Sequence, residues 1–353
     1  MKRNKFGIIF LGITLLTTIT CTGIILATGI QKAAKTASNL PQRQDYPEPH
    51  RLEKTELEGF SSFSLNLAYA EISILPSDGF YLEYCLDGAC KEPQYSTSNN
   101  TFTFQEGRIL NQFQISLDFF PAYSSKEPFY LNLYVPKDQY FDFASLYSES
   151  GSTKITDLSA KKAEITSDYG NLNLESFQGD SLAISSDSGN VTLGTAECGT
   201  FQADLAYGDL KAGSLSASKQ AQLTLESGNL DVSELAAEEF SLINNYGNCA
   251  IQTFHAKKCD MELESGNLKL QDTDVEEADV QILYGNADLT LSHPFSEYNF
   301  DLTAEYGTVT LDRKKIPADE DGNTIYTHKN QTNRRNLRIF NESGFIELSP
   351  PAP

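Results

Sequence analysis

Eight glycines, Gly151, Gly170, Gly189, Gly208, Gly228, Gly247, Gly266 and Gly285, stand 19, 19, 19, 20, 19, 19 and 19 residues apart. The residue before each alternates between Ser and Tyr, and from Gly170 onward the residue after each is Asn or Asp. Recurrence at a fixed period near 20 residues is the mark of a solenoid, in which one repeat cannot bury its apolar face alone and must stack on its neighbours.

Counted from each glycine, the apolar residues keep one parity. Positions −7, −5 and −3 hold Leu182, Ile184 and Ser186, then Phe201, Ala203 and Leu205, then Ala221, Leu223 and Leu225, then Cys259, Met261 and Leu263. Positions +2 and +4 hold Leu172 and Leu174, Val191 and Leu193, Leu230 and Val232, Leu268 and Leu270. Both patterns are strands with one buried face. Position +7 is apolar again in Leu158, Phe177, Ala196, Leu215, Leu235 and Phe254. Two short strands and two turns thus fill one 19-residue coil.

Glycine marks the corner because it takes positive φ without steric penalty, and the Asn or Asp after it tolerates unusual backbone and bonds it locally. Coils about 4.8 Å apart would bring Asn171, Asn190, Asn229, Asn248, Asn267 and Asn286 into an amide ladder. A 19-residue coil sets each Tyr over a small Ser, whereas a 38-residue coil would stack Tyr on Tyr. The shorter coil is preferred, since each repeat already supplies both sheets.

The chain opens with residues 1–6, predicted to be a cytoplasmic N-terminus containing Lys2, Arg3 and Lys5, followed by an uncharged apolar segment. Residues 7–30 would make a helix of about 36 Å, enough to span a bilayer with some tilt. A secretory signal has a shorter apolar core and a small-x-small cleavage site. Cys21 raises a lipoprotein alternative, for which Thr20 is a poor neighbour. An uncleaved transmembrane helix is the expectation, with the basic flank inside and the C-terminal domain outside the cytoplasm, although Lys32 and Lys35 weaken that bias. The protein is thus expected at the cell membrane, single-pass.

Residues 31–54, with Pro41, Pro47 and Pro49, read as a linker. The expected fold is all-β, an extracytoplasmic β-solenoid over 55–348 of about eleven rungs and about 50 Å. Its first rung, from Phe63 to Ile74, carries Ala70 in the place of the glycine. An antiparallel β insertion near the N-terminal end is expected over 79–140, from alternating runs such as Phe102-Thr103-Phe104, Phe113 to Leu117, and Phe129 to Pro136. A polar loop is expected over 312–336, after which Leu337, Ile339, Gly344, Ile346 and Leu348 restore the frame for a last rung. Residues 349–353 read as a tail.

The Ser/Tyr-Gly-Asn/Asp-apolar phrases, Ala70-Glu71-Ile72-Ser73-Ile74 followed by Pro76-Ser77-Asp78-Gly79, and Leu133-Tyr134-Val135-Pro136-Lys137 together resemble the bacterial putative-adhesin family, a β-solenoid domain of unknown function. The resemblance covers roughly residues 55–350. It implies a cell-envelope protein, sometimes encoded near envelope-stress regulators of the Lia type, and it transfers no catalytic residue. The 79–140 region, the 312–336 loop and five cysteines beyond the apolar segment depart from the family's usual pattern.

Five of the 27 basic residues and none of the 48 acidic ones lie in the first 40 positions, leaving 22 basic against 48 acidic beyond them, a net charge of −26. That excess opposes nucleic acid and anionic lipid surfaces and fits a solvated surface. Cys85 and Cys90 flank an Asp87-Gly88 turn and could form a disulfide across a hairpin. Cys249 and Cys259 fall on inward positions and read as small core residues. His50, His255, His293 and His328 are scattered, and no phosphate loop, metalloprotease helix or nucleophile elbow occurs. No cofactor is expected beyond one metal hypothesis. Asp260, Asp279 and Asp301 share the outward position −6 on consecutive repeats, either as a weak calcium site or as solvated carboxylates.

Three classes of function follow. A non-enzymatic adhesin-like module would bind cell-wall polymer, surface glycan or an envelope protein along its flank. An accessory protein in envelope-stress signalling would act laterally through a membrane partner. A polysaccharide-cleaving β-helix enzyme would need a localised group of acids with an Arg or Lys base on one face, and the outward columns here are mixed and mild.

Overall fold

The computed structural model describes residues 47–107 and 128–351. The expected span at 7–30, its flanks up to residue 46, the strand at 113–117 and residues 352–353 lie outside the described residues. Among those described, no helix is long and apolar enough to cross a membrane.

The fold is an all-β solenoid. Its N-terminal strands are β1 (His50–Glu56), β2 (Ser62–Leu67), β3 (Glu71–Ser77), β4 (Tyr81–Leu86), β5 (Gln94–Ser98), β6 (Thr101–Gln105) and β7 (Tyr130–Pro136). The central ones are β8 (Tyr140–Ser150), β9 (Thr153–Ile155), β10 (Leu158–Tyr169), β11 (Leu172–Ser188), β12 (Val191–Tyr207), β13 (Leu210–Ser227), β14 (Leu230–Tyr246), β15 (Cys249–Ser265) and β16 (Leu268–Tyr284). Then come β17 (Ala287–Leu291), β18 (Tyr298–Leu311), β19 (Lys314–Lys315), β20 (Thr324–His328) and β21 (Arg335–Ser349). The strand β1 begins inside the segment expected as linker, because residues from His50 onward pair antiparallel with β4.

From β10 to β16 each strand pairs in parallel with the next, and partners such as Ile184 and Ala203, or Met261 and Val280, stand one repeat apart. The coil is therefore 19 residues. Its inward column at −5 runs Ile184, Ala203, Leu223, Leu242, Met261, Val280, and every member is buried. Burying each such side chain contributes roughly 1.5 to 3 kcal/mol for the larger ones. The single 20-residue interval is absorbed as a register shift between Ala217 and Gln220, so that Ser218 and Lys219 bulge while both corners stay aligned.

Each coil differs from the expected two strands and two turns. One strand runs 17 residues from Leu172 to Ser188, with the glycine corner as its sole break. Within it the buried positions go 172, 174, 177, 182, 184, 186, so the inward parity switches twice, and the ladder skips Glu175 and Asp180. The coil has three sides joined by two bends at +5 and +10. At the first bend a Cβ on Gly194 would lie 2.2 Å from the Glu175 carbonyl oxygen.

At both ends, order in space departs from order in sequence. The strand β2 lies between β6 and β8, with Leu65 opposite both Phe104 and Leu146, and β3 lies between β7 and β9. The parallel pairing makes β6 and β7 an outermost coil. Only β1, β4 and β5 in this region pair antiparallel throughout, which corrects the wholly antiparallel insertion. At the other end β21 enters between β16–β17 and β18. The rung expected to be last is thus second from the end, and β18 is outermost. Its edge is covered antiparallel by β19 and β20, as exposed ladders require.

Candidate interaction surface

The glycine corner is built by close approach. At Gly247 φ is 151°, and an added Cβ would stand 1.9 Å from the Gly228 carbonyl oxygen of the preceding coil. No side chain fits there, and no L-residue favours that backbone. Behind the corner some coils place a polar residue inward: Ser148 and Ser167 donate to the carbonyls of Gly151 and Gly170, and Asn341 donates to that of Gly285 at 2.9 Å. These buried polar side chains, on positions whose period reads as apolar, satisfy corner carbonyls that would otherwise lack a donor.

In front of the corner the amide ladder forms. Asn171 Oδ1 accepts the Asn190 N–H at 2.9 Å, Asn190 Oδ1 the Asp209 N–H at 3.0 Å, and Asp209 Oδ1 the Asn229 N–H at 2.8 Å. It continues through Asn248 and Asn267, and Asn286 Oδ1 accepts the Phe345 N–H of the intercalated strand at 3.1 Å. The N-terminal end uses a different device. Glu106 Oε2 accepts the N–H groups of Ala68 and Tyr69 at 2.5 and 3.1 Å, and burial pushes this carboxyl's pKa up against those two bonds.

Beside the ladder runs a column of alternating Tyr and Ser. Ser150, Tyr169, Ser188, Tyr207, Ser227, Tyr246, Ser265 and Tyr284 are successive ladder partners. Tyr284 then faces Ser343, and Ser343 faces Tyr306. At the other end the β2–β8 register, which aligns Leu67 with Ser148, carries Tyr69 to the level of Ser150. The alternation is therefore unbroken in space where chain order would break it. All six tyrosines are exposed, from 45% at Tyr69 to 75% at Tyr306. Carboxylates flank them. Tyr246 Oη donates to Glu264 at 3.2 Å, a bond that raises its pKa, and the same kind of bond to Asp168 pushes Tyr147 on the adjacent face up to about 12.

The predicted metal residues are not gathered. Asp260 faces Asp279 across the β15–β16 ladder, but Arg338 of β21 stands between Asp279 and Asp301, with its Nη1 3.4 Å from Asp279 Oδ2. The three carboxylates line an open groove of about 680 Å³ together with Lys258, Lys329 and Arg338. Like charges in a column are relieved here by an inserted cation. Among the described residues no group of three His, Cys, Asp or Glu side chains could hold a metal ion.

Cys85 is the penultimate residue of β4 and faces Arg51 of β1 and Tyr130 of β7, so Cys90 does not face it across a two-stranded hairpin. Both are buried, and burial pushes the Cys90 thiol up to about 11. Cys249 and Cys259 sit in the core as expected, and burial raises both thiols. Sequence reasoning missed Arg335, which opens β21. It pairs with Asp274 Oδ1 at 2.5 Å, donates to His293 Nε2 at 2.8 Å and to the Val275 carbonyl at 3.2 Å, and so pins the intercalated strand.

The Toastrack DUF4097 family matches residues 60–193 and, in a second stretch, 178–349. No curated protein matches the chain. Among solved structures, a putative adhesin from Parabacteroides distasonis aligns over 85% of this chain and 97% of its own at 9% identity, with a TM-score of 0.43. A putative lipid binding protein from the same organism aligns over 69% of this chain and 96% of its own at 12% identity and a TM-score of 0.47. A putative cell adhesion protein from Clostridium sporogenes aligns over 86% of this chain and 100% of its own at 10% identity and a TM-score of 0.23. The two matched stretches run almost the length of the solenoid, and the chain belongs to the Toastrack DUF4097 family.

Proposed function

We propose that the chain is a membrane-anchored, non-enzymatic adhesin-like binding module of the bacterial cell envelope, held by the apolar segment 7–30 with the solenoid outside the cytoplasm. The observation that carries this reading is the exposed tyrosine column, continuous across coils that are far apart in sequence. Exposed aromatic side chains in a regular array are a surface built for contact. Repetition of the same corner supports binding over catalysis, since a unique active site is not assembled from identical copies. The −26 charge beyond residue 40 supports a solvated outer-surface role.

The test is crosslinking in living cells with the tagged full-length chain, followed by recovery of everything attached. Wall polymer, surface glycan or a foreign surface protein in the eluate supports the module. Recovery of integral membrane regulators alone would replace it with the envelope-stress reading, in which the signal passes laterally through the anchor. Fractionation that leaves the chain in the cytoplasm would overturn both.

A further inference from the structure

We propose that the tyrosine column is a binding strip for an extended, uncharged, β-linked polysaccharide lying along the axis of the stack, an inference that rests on the reading of the chain as a surface-binding module. The six rings, Tyr69, Tyr169, Tyr207, Tyr246, Tyr284 and Tyr306, recur at every second coil. At about 4.8 Å per coil the ring-to-ring step is about 9.6 Å. That step is close to the length of a disaccharide in an extended two-fold β-linked chain, where every second sugar turns the same C–H face to one side. Each tyrosine can then stack on one such face.

The groups between the rings fit the same ligand. Ser188, Ser227 and Ser265 place a hydroxyl at the intervening coils, level with the sugars whose faces point away. Carboxylates one residue before the column, among them Glu226 and Glu264, are exposed and can accept hydrogen bonds from sugar hydroxyls. The same carboxylates repel an anionic polymer, which selects an uncharged chain. Packing alone is a weak reason for the rings. Most of them have more than half their surface in water, so the area they remove from it is small. The row also continues through Ser343 and Tyr306, whose coils are stacked in reverse of their sequence order. A side effect of duplicated repeats would follow sequence order, whereas a surface selected as a whole follows spatial order.

The experiment titrates the full-length chain in detergent micelles with cello- and chito-oligosaccharides from disaccharide to hexasaccharide. Amylose serves as an α-linked helical control, and an anionic glycan as the charge control. Affinity is expected to rise about tenfold or more from disaccharide to hexasaccharide as second and third rings engage. The double substitution Tyr207→Ala and Tyr246→Ala is expected to lower hexasaccharide affinity at least about tenfold, with the melting temperature within about 2 °C of the parent. The corresponding Phe variant keeps affinity within about threefold, since the face of the ring is retained. Equal binding of amylose, or β-linked binding unmoved by the double Ala variant, overturns the strip and leaves the surface module standing. Absence of binding to any glycan, with a surface protein still recovered by crosslinking in cells, does the same. Absence of a partner in both experiments removes the strip and the module together.

Discussion

The middle of the solenoid and its two ends are made of the same coil but are assembled differently. Between β10 and β16 every ladder joins neighbours one repeat apart, so each coil can dock as soon as the chain emerges from the last. At the ends, Leu65 meets Leu146 and Val280 meets Ile339, and the outermost coils β6–β7 and β18 are reached only by stepping over a coil that belongs elsewhere in the sequence. Closing such loops is an entropic penalty that the middle does not bear. The period of a repeat therefore specifies the coil but leaves open the order in which coils are stacked.

The strongest way to break this contrast is to remove β21. Deleting residues 335–349 strips ladder partners from β16, β17 and β18 at once. Amide exchange is expected to lose protection throughout Tyr298–Leu311 while Leu172–Ser227 stays protected. Protection surviving in β18 would show that intercalation does not hold the outer coil.

Next in size are single changes in the middle. Gly247→Ala forces a side chain onto the Gly228 carbonyl at a φ of 151° and is expected to destabilise by about 3 to 5 kcal/mol. Leu225→Ala, at a fully buried position, is expected to cost about 2 to 5 kcal/mol by denaturant titration. A loss below about 0.5 kcal/mol at Leu225 would contradict its inward assignment. A smaller effect is expected at the exposed ladder, where Asn248→Ala removes the acceptor of the Asn267 N–H and should cost about 1 kcal/mol.

The smallest effect belongs to the N-terminal end and depends on pH. Glu83 accepts from Tyr134 Oη at 2.7 Å and Asn132 Nδ2 at 3.1 Å, and these bonds hold its carboxyl below the usual glutamate value. A depressed folded pKa contributes stability above the unfolded value, and that contribution is lost as pH falls through the folded one. Glu83→Gln should therefore cost about 1 kcal/mol or less at neutral pH, and the gap between parent and variant should close in acid. A gap that widens in acid would reverse the sign of the shift.

Much of the middle was legible because its signals are local and repeated. The glycine corner, the ladder from Asn171 to Asn286 and the setting of Tyr over Ser all follow from a 19-residue period. The third side of the coil was not, because the bends at Glu175 and Asp180 occur within one strand and need no turn residue. Nor was the stacking order at the ends, since nothing near Asp279 in sequence announces Arg338, 59 residues on. That inserted arginine is why three aspartates that look consecutive do not form one column. The tyrosine column was half visible: the tyrosines could be counted, but their continuity through Ser343 required the finished fold.

The intercalated strand also changes how the molecule would carry a load. A stack whose last coil is also its outermost can be peeled by tension on that end, one ladder at a time. Tension applied beyond Ser349 instead pulls on a strand bonded along both edges, to β16 and β17 on one side and β18 on the other, with Arg335 anchored to Asp274 at its far end. Two ladders must then shear together. Such an end resists being unzipped.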